Sequence, residues 1–283
     1  MIFYGHLGRF GTGIFGHKNV PENPRPQITQ ISNIIVNIFL LVTFYIMIAG
    51  FGAYFEQEFH ISKLIGAGIL AVLSYFILIK DIEGVAKTNS IIVPILILTI
   101  IIIGVQNIGK INVTNLPTET SYKWIIQAII YCSYNMILVI PILVGLKQYI
   151  KSKKQIKMIS ILSSIIVFIL AISIFFLLTN INTDISSIEM PAVYAITNNF
   201  PKFRLIYGIV ILLSIFSTAI SIGISFLKNT IKDKKNYPPF VSIMCISGVL
   251  ISNIGFSKLV QMLFPLFGYL GVIQIIILLR NNK

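Results

Sequence analysis

Charge is what this chain has least of. Charged residues make up 11% of its 283 positions, and only nine of them are Asp or Glu. A soluble domain carries about 25% charged residues, so a water-exposed globular fold is excluded. Cysteine is nearly absent as well. Cys132 and Cys245 both fall inside apolar blocks and form no CxxC, which leaves no disulfide framework and no reading of redox compartment. The three histidines, His6, His17 and His60, are scattered without metal-ligand spacing, so no metal site is expected. Met1–Gly16 lacks the basic start and apolar core of a signal peptide.

What is present in abundance is apolar. Hydrophobic residues reach 56%, mean hydropathy is +0.89, and these residues arrive in blocks of roughly 20, the length that crosses a bilayer at 1.5 Å per residue. The chain therefore reads as an all-α integral membrane protein with about eight transmembrane helices, its partner the lipid bilayer. The expected spans are A Ile31–Phe55, B Ile61–Leu78, C Ser90–Ile108, D Trp124–Leu146, E Met158–Leu178, F Phe203–Leu227, G Pro239–Phe256 and H Leu259–Leu279. Residues 1–30, interrupted by Pro21, Pro24, Pro26 and a Gly-rich start, form a separate polar segment ahead of the transmembrane domain, 31–283. Within the outer loop Thr179–Lys202, Met190–Ile196 is expected to form a short helix lying over the protein.

The formal charge of +13 does not point to nucleic acid. The basic residues lie between apolar blocks, where topology signals lie, and no basic run is interleaved with exposed aromatics. With both termini cytoplasmic, sixteen of the 22 Lys and Arg fall on the inner side and six outside. The loops Lys147–Lys157 and Lys228–Lys235 dominate that asymmetry. Gly11–Gly16 fits GxGxxG, but a Pro-rich stretch follows where a dinucleotide site needs a helix, so the match is a coincidence.

Inside a bilayer every backbone polar group needs an internal partner, so polar clusters within spans are informative. Span D contains Tyr131-Cys132-Ser133-Tyr134-Asn135-Met136, followed by Pro141. Proline cannot donate a backbone hydrogen bond and clashes with the preceding turn. The hydroxyls and the amide beside it either satisfy freed backbone groups at a kink or bind a ligand; an irregular segment around Ser133–Asn135 is expected. Span F carries Ser214, Ser217, Thr218 and Ser221 on one helical face. That row can coordinate a hard cation such as Na⁺, or it can serve close helix packing and back-bonding. The run Met47–Ala53 with Gly50 and Gly52 allows close approach of a neighbouring helix or a ligand. No Asp, Glu, Lys or Arg lies near the middle of a span, which argues against a carboxylate proton relay. No nucleophile, base and orienting group assemble in one span or loop, so no enzyme activity is expected.

Met47-Ile48-Ala49-Gly50-Phe51-Gly52-Ala53 with Glu56-Gln57 resembles a signature of the YkvI family of bacterial membrane proteins. Asn89-Ser90-Ile91-Ile92-Val93-Pro94, Ser133-Tyr134-Asn135 and Ser217-Thr218-Ala219-Ile220 are similar, in order, to that family's elements in its fifth, sixth and eighth helices. The resemblance implies a LeuT-type fold of the amino acid–polyamine–organocation superfamily, two inverted repeats each opened by a helix broken at mid-membrane. Spans A to H would be its third to tenth helices, and span D the second broken helix. It implies a secondary carrier of amino acids or similar small solutes, with solute at Ser133, Tyr134, Asn135 and Gly50, and Na⁺ at Ser214, Ser217 and Thr218. Counterparts of the family's first two helices are missing, so the chain looks like a member cut short or internally deleted, from which no coupled uptake is expected by itself. The alternative is a non-transporting membrane component: a receptor, an assembly partner or a degenerate remnant.

Overall fold

A computed structural model describes residues 26–80, 85–107, 122–146, 152–179, 181, 188–231 and 233–280. Among these residues there are helices and turns and no strand. The helices are α1 (Pro26–Phe59), α2 (Lys63–Lys80), α3 (Val85–Asn107), α4 (Lys123–Leu146), α5 (Lys153–Leu178), the short α6 (Pro191–Asn199), α7 (Arg204–Thr230), α8 (Tyr237–Ser252) and α9 (Phe256–Arg280). Each of the eight expected spans corresponds to one helix, and α6 covers the expected short one. The GxGxxG match and the start of the N-terminal segment lie outside the described residues, as do the tip of the basic loop after α4 and most of the stretch after α5.

The central helix is α1, which packs against α2, α4, α7, α8 and α9. Burial on several sides explains why its sequence is apolar all round rather than on one stripe: Val36, Phe39, Phe44, Ile46 and Ile48 are each at most 1% exposed. It begins at Pro26, earlier than the expected Ile31, consistent with proline's fitness for a first helical turn, where its missing N–H is no loss. It ends at His60, whose φ of 55° turns the chain, so that the Ile61 N–H returns to the Phe55 carbonyl at 3.4 Å.

Lipid tails are as apolar as leucine, so helices in a membrane associate by close packing rather than by hydrophobic exclusion. Glycine marks the contacts. At the α1–α2 crossing, a Cβ on Gly52 would run into the Lys63 carbonyl, and one on Gly66 would lie 3.0 Å from the Gly52 Cα. On α3, a Cβ on Gly104 would strike Ser173 of α5, and on α9 one on Gly271 would lie 2.5 Å from the Ser133 carbonyl oxygen of α4. Span G is shorter than expected. Its helix stops at Ser252 because Gly255, at φ 99°, reverses the chain into α9.

Five helical stretches are long and apolar enough to cross a membrane among the described residues, within α1, α2, α5, α7 and α9. The protein is a multi-pass, all-α membrane protein.

Candidate functional site

The polar cluster of span D is not a break. The helix α4 is continuous from Lys123 to Leu146, which corrects the expectation of an irregular segment at Ser133–Asn135. The physical reason is local satisfaction. The Ser133 hydroxyl donates to the Ile129 carbonyl at 2.7 Å and the Asn135 amide donates to the Tyr131 carbonyl at 2.8 Å. Both bonds reach back one turn along the same helix, leaving its backbone ladder intact. Tyr134 is buried among aromatic rings, edge-on to Phe39 of α1 and 4.5 Å between centroids from Phe264 of α9.

Gly50 lies elsewhere. A Cβ there would sit 3.1 Å from the Phe256 ring at the start of α9, so this glycine accommodates a neighbouring side chain. The resemblance joins Gly50 to Ser133–Asn135. Here the glycine packs at the first residue of α9, while Ser133 packs at Gly271, four turns further along the same helix. On α7 the hydroxyl row is also back-bonded: Thr218 donates to the Ser214 carbonyl and Ser221 to the Ser217 carbonyl, both at 2.8 Å. Ser217 is buried, and Ser214 and Thr218 are half-buried. On α3, Pro94 of the Asn-x-Ile-Val-Pro-like stretch sits inside the helix.

Among the described residues, the strongest polar constellation gathers where α1 ends near α6. The Glu58 carboxylate, its side chain 4% exposed, pairs with the Arg204 Nε at 2.9 Å. Thr197 of α6 donates its hydroxyl to the same carboxylate at 3.0 Å. A second guanidinium nitrogen, Nη2, donates to the Glu58 main-chain carbonyl at 2.9 Å. That carbonyl belongs to the last turn of α1, which has no intrahelical donor left for it. Arg204 thus neutralises a buried charge and caps a helix with one side chain.

Beside this node, Gln57 forms a reciprocal pair with the Met190 backbone, donating from Nε2 to its carbonyl at 3.3 Å and accepting its N–H at 3.0 Å. Glu189 accepts the Ser257 N–H at 2.6 Å in the first turn of α9, where a negative group complements the helix dipole. The short α6 and the residues before it are therefore tied to α1, α7 and α9 at once. A cleft of about 250 Å³ remains between them, lined by Ala53, Glu56, Gln57, Ile188, Glu189 and Tyr194.

Sequence reasoning missed Glu58, Thr197, Arg204 and Glu189. A usable signal existed: with nine acidic residues in the chain, Glu56 and Glu58 at the end of the longest apolar run stand out. The partners of Glu58 lie 139 and 146 positions away, beyond any local pattern.

These features define a helical membrane protein with a polar node at one end of its bundle. The chain is similar to the uncharacterized membrane protein YkvI of Bacillus subtilis (strain 168), 26% identical over 247 residues that cover 84% of this chain and 71% of that protein. It is also similar to the uncharacterized protein YyaD of the same organism, 23% identical over 259 residues, 90% of this chain and 75% of that protein. No family model matches, and no solved structure matches.

Proposed function

We propose that this protein is of the secondary-carrier type, binding amino acids or similar small solutes within a LeuT-like helical scaffold, with both termini in the cytoplasm. The observation that carries the reading is the cleft at the end of α1. Glu56 and Tyr194 border about 250 Å³ together with Glu189 and Gln57, which are already bonded to Ser257 and Met190. This volume is below the roughly 300 Å³ from which pockets for drug-sized ligands begin. A small solute bearing an ammonium group suits that size and charge. The order of the family-like motifs supports the same reading, and the similarity to an uncharacterized bacterial membrane protein supports its setting in a bilayer.

In this scheme Ser133 and Tyr134 would meet solute, beside Asn135, when α4 and α9 part, because Gly271 and Phe264 of α9 now lie against them. Gly50 would meet it when Phe256 of α9 withdraws from α1. Na⁺ at Ser214, Ser217 and Thr218 would take the place of hydroxyl bonds now made along α7.

A second reading, a non-transporting membrane component, is favoured by one observation. The helix that the resemblance predicts to be broken at mid-membrane is continuous, whereas carriers of this type build their site from interrupted helices.

Purified protein screened by thermal shift against the amino acids, with and without Na⁺, tests the first reading. Stabilisation by one chemical class is the expected result, and a flat response across the panel overturns it. Vesicle uptake then separates the two readings: binding with saturable uptake belongs to a carrier, binding without uptake to a non-transporting component.

A further inference from the structure

The helix α5 is the least covered of the long apolar helices: only 11% of its most apolar stretch is buried inside the protein. Its buried residues, Ser173 and Leu177, lie near its far end, where it meets α3 and α6. Its first half projects Met158, Ile161, Leu162, Ile165 and Phe168 outward, each 51% exposed or more. At the start of the same helix stand Lys153, Lys154 and Lys157, all exposed. No acidic residue sits in the first turn, and no carboxylate pairs with these lysines among the described residues.

The placement is electrostatically unfavourable by itself. A helix start carries about half a positive charge, and cations there are repelled rather than held. An anion at this position would relieve both the dipole and the mutual repulsion of the lysines. The helical period then sets what kind of anion. Lys153 and Lys157 share a face that continues into Ile161 and Phe168, and Lys154 shares one that continues into Met158, Leu162 and Ile165. Each stripe is basic at its end and apolar along its length, the profile of a molecule with an anionic head and a hydrocarbon tail. From Met158 to Leu178 the helix rises roughly 30 Å, matching the hydrocarbon core and placing the lysines at headgroup depth.

We propose that the first half of α5 is a binding surface for an anionic phospholipid of the surrounding bilayer, its phosphate held by Lys153, Lys154 and Lys157 and its acyl chains lying along the exposed apolar stripes. The proposal is independent of the solute bound and of whether the protein transports.

The test uses the full chain in neutral detergent, with phosphatidylglycerol and phosphatidylcholine of identical acyl chains as probes, read by native mass spectrometry and by thermal shift. The expected result is selective retention of phosphatidylglycerol and stabilisation by it. A lysine beside an anionic headgroup is worth about fivefold in affinity. The variant K153Q/K154Q/K157Q should therefore lose on the order of 100-fold, with melting in detergent alone unchanged or raised, because the repulsion at the helix start is gone. The Arg counterpart K153R/K154R/K157R keeps the charge and should keep the selectivity. The single variants K153Q, K154Q and K157Q, each expected to lose about fivefold, replace the triple Gln variant if that one does not fold. Equal retention of the two lipids by the native chain overturns the proposal. So does undiminished selectivity in the Gln variant. So too would equal stabilisation by glycerol phosphate, which carries no acyl chain. A stable dimer in detergent that neither lipid perturbs would assign the α5 face to a second copy of the chain instead.

Discussion

At the scale of single residues, the balance between Glu58 and Arg204 is unequal. The carboxylate is almost fully enclosed, whereas the arginine side chain is 49% exposed. Removing the arginine strands a buried negative charge and uncaps α1, while neutralising the carboxylate leaves an arginine that water can solvate. Breaking a buried pair costs about 3–5 kcal/mol, but exposure of the arginine and the surviving Thr197 bond reduce that. Arg204→Ala is expected to cost about 1–3 kcal/mol, and Glu58→Gln clearly less. Denaturant or thermal unfolding in detergent would measure both. An Arg204→Ala variant as stable as Lys202→Ala, a nearby exposed control, would show that the node holds nothing together.

Two glycines of the α1–α2 pair make a second contrast. A methyl group on Gly52 meets main-chain atoms of Lys63 and Ala67, which cannot move aside, whereas one on Gly68 meets nothing within 4 Å. Alanine is favoured over glycine in a helix by about 1 kcal/mol, so Gly68→Ala should be neutral or stabilising. Gly52→Ala should destabilise by more than that amount, through separation of the two helices. Equal melting temperatures for the two variants would contradict the close crossing.

At the scale of elements, the hydroxyl row of α7 illustrates how one pattern admits two physical states. Hydroxyls at spacings of three and four line one face, and that face can present oxygen to a cation or return hydrogens to its own carbonyls. In the structure it does the latter. If the row also binds Na⁺, the double variant Ser217→Ala/Thr218→Ala should abolish any Na⁺-dependent rise in melting temperature while leaving the fold intact. A preserved Na⁺ response would confine these hydroxyls to helix packing. The same ambiguity misled the reading of α4. Ser133 and Asn135 beside a proline are as compatible with back-bonding as with a break, and the distinction lies in whether a neighbouring helix offers better partners. Here the neighbour at Ser133 is Gly271, which offers close approach and no side chain, so the polar groups bonded to their own helix.

At the scale of the whole molecule, the antiparallel helices sort the basic residues by end. The ends of α2, α7 and α9 that carry Lys80, Lys228 and Arg280 lie opposite the node where α1 finishes and α7 begins. In the proposed orientation, with those basic ends in the cytoplasm, the node would face outward. On a background lacking Cys132 and Cys245, a membrane-impermeant thiol reagent should label Lys202→Cys in intact cells and leave Lys153→Cys unlabelled until the membrane is opened. The opposite pattern would invert the orientation.

The division between what was legible and what was not follows from the range of the forces involved. Hydropathy is summed over neighbours in sequence and needs no knowledge of packing. Residues 31–283 by themselves therefore determined the membrane class, the places of the eight helices other than α6, the short α6 and the small-residue run that lets α1 and α2 touch. The tertiary structure alone decided which polar groups meet. Glu58 finds Arg204 and Thr197, and Glu189 finds Ser257, because α1, α6, α7 and α9 end at the same level of the bundle. The Glu58 carboxylate, enclosed at 4% exposure, has little water to solvate it and is drawn to whichever donors and cations the neighbouring helix ends present, and sequence distance has no influence on which ones they are.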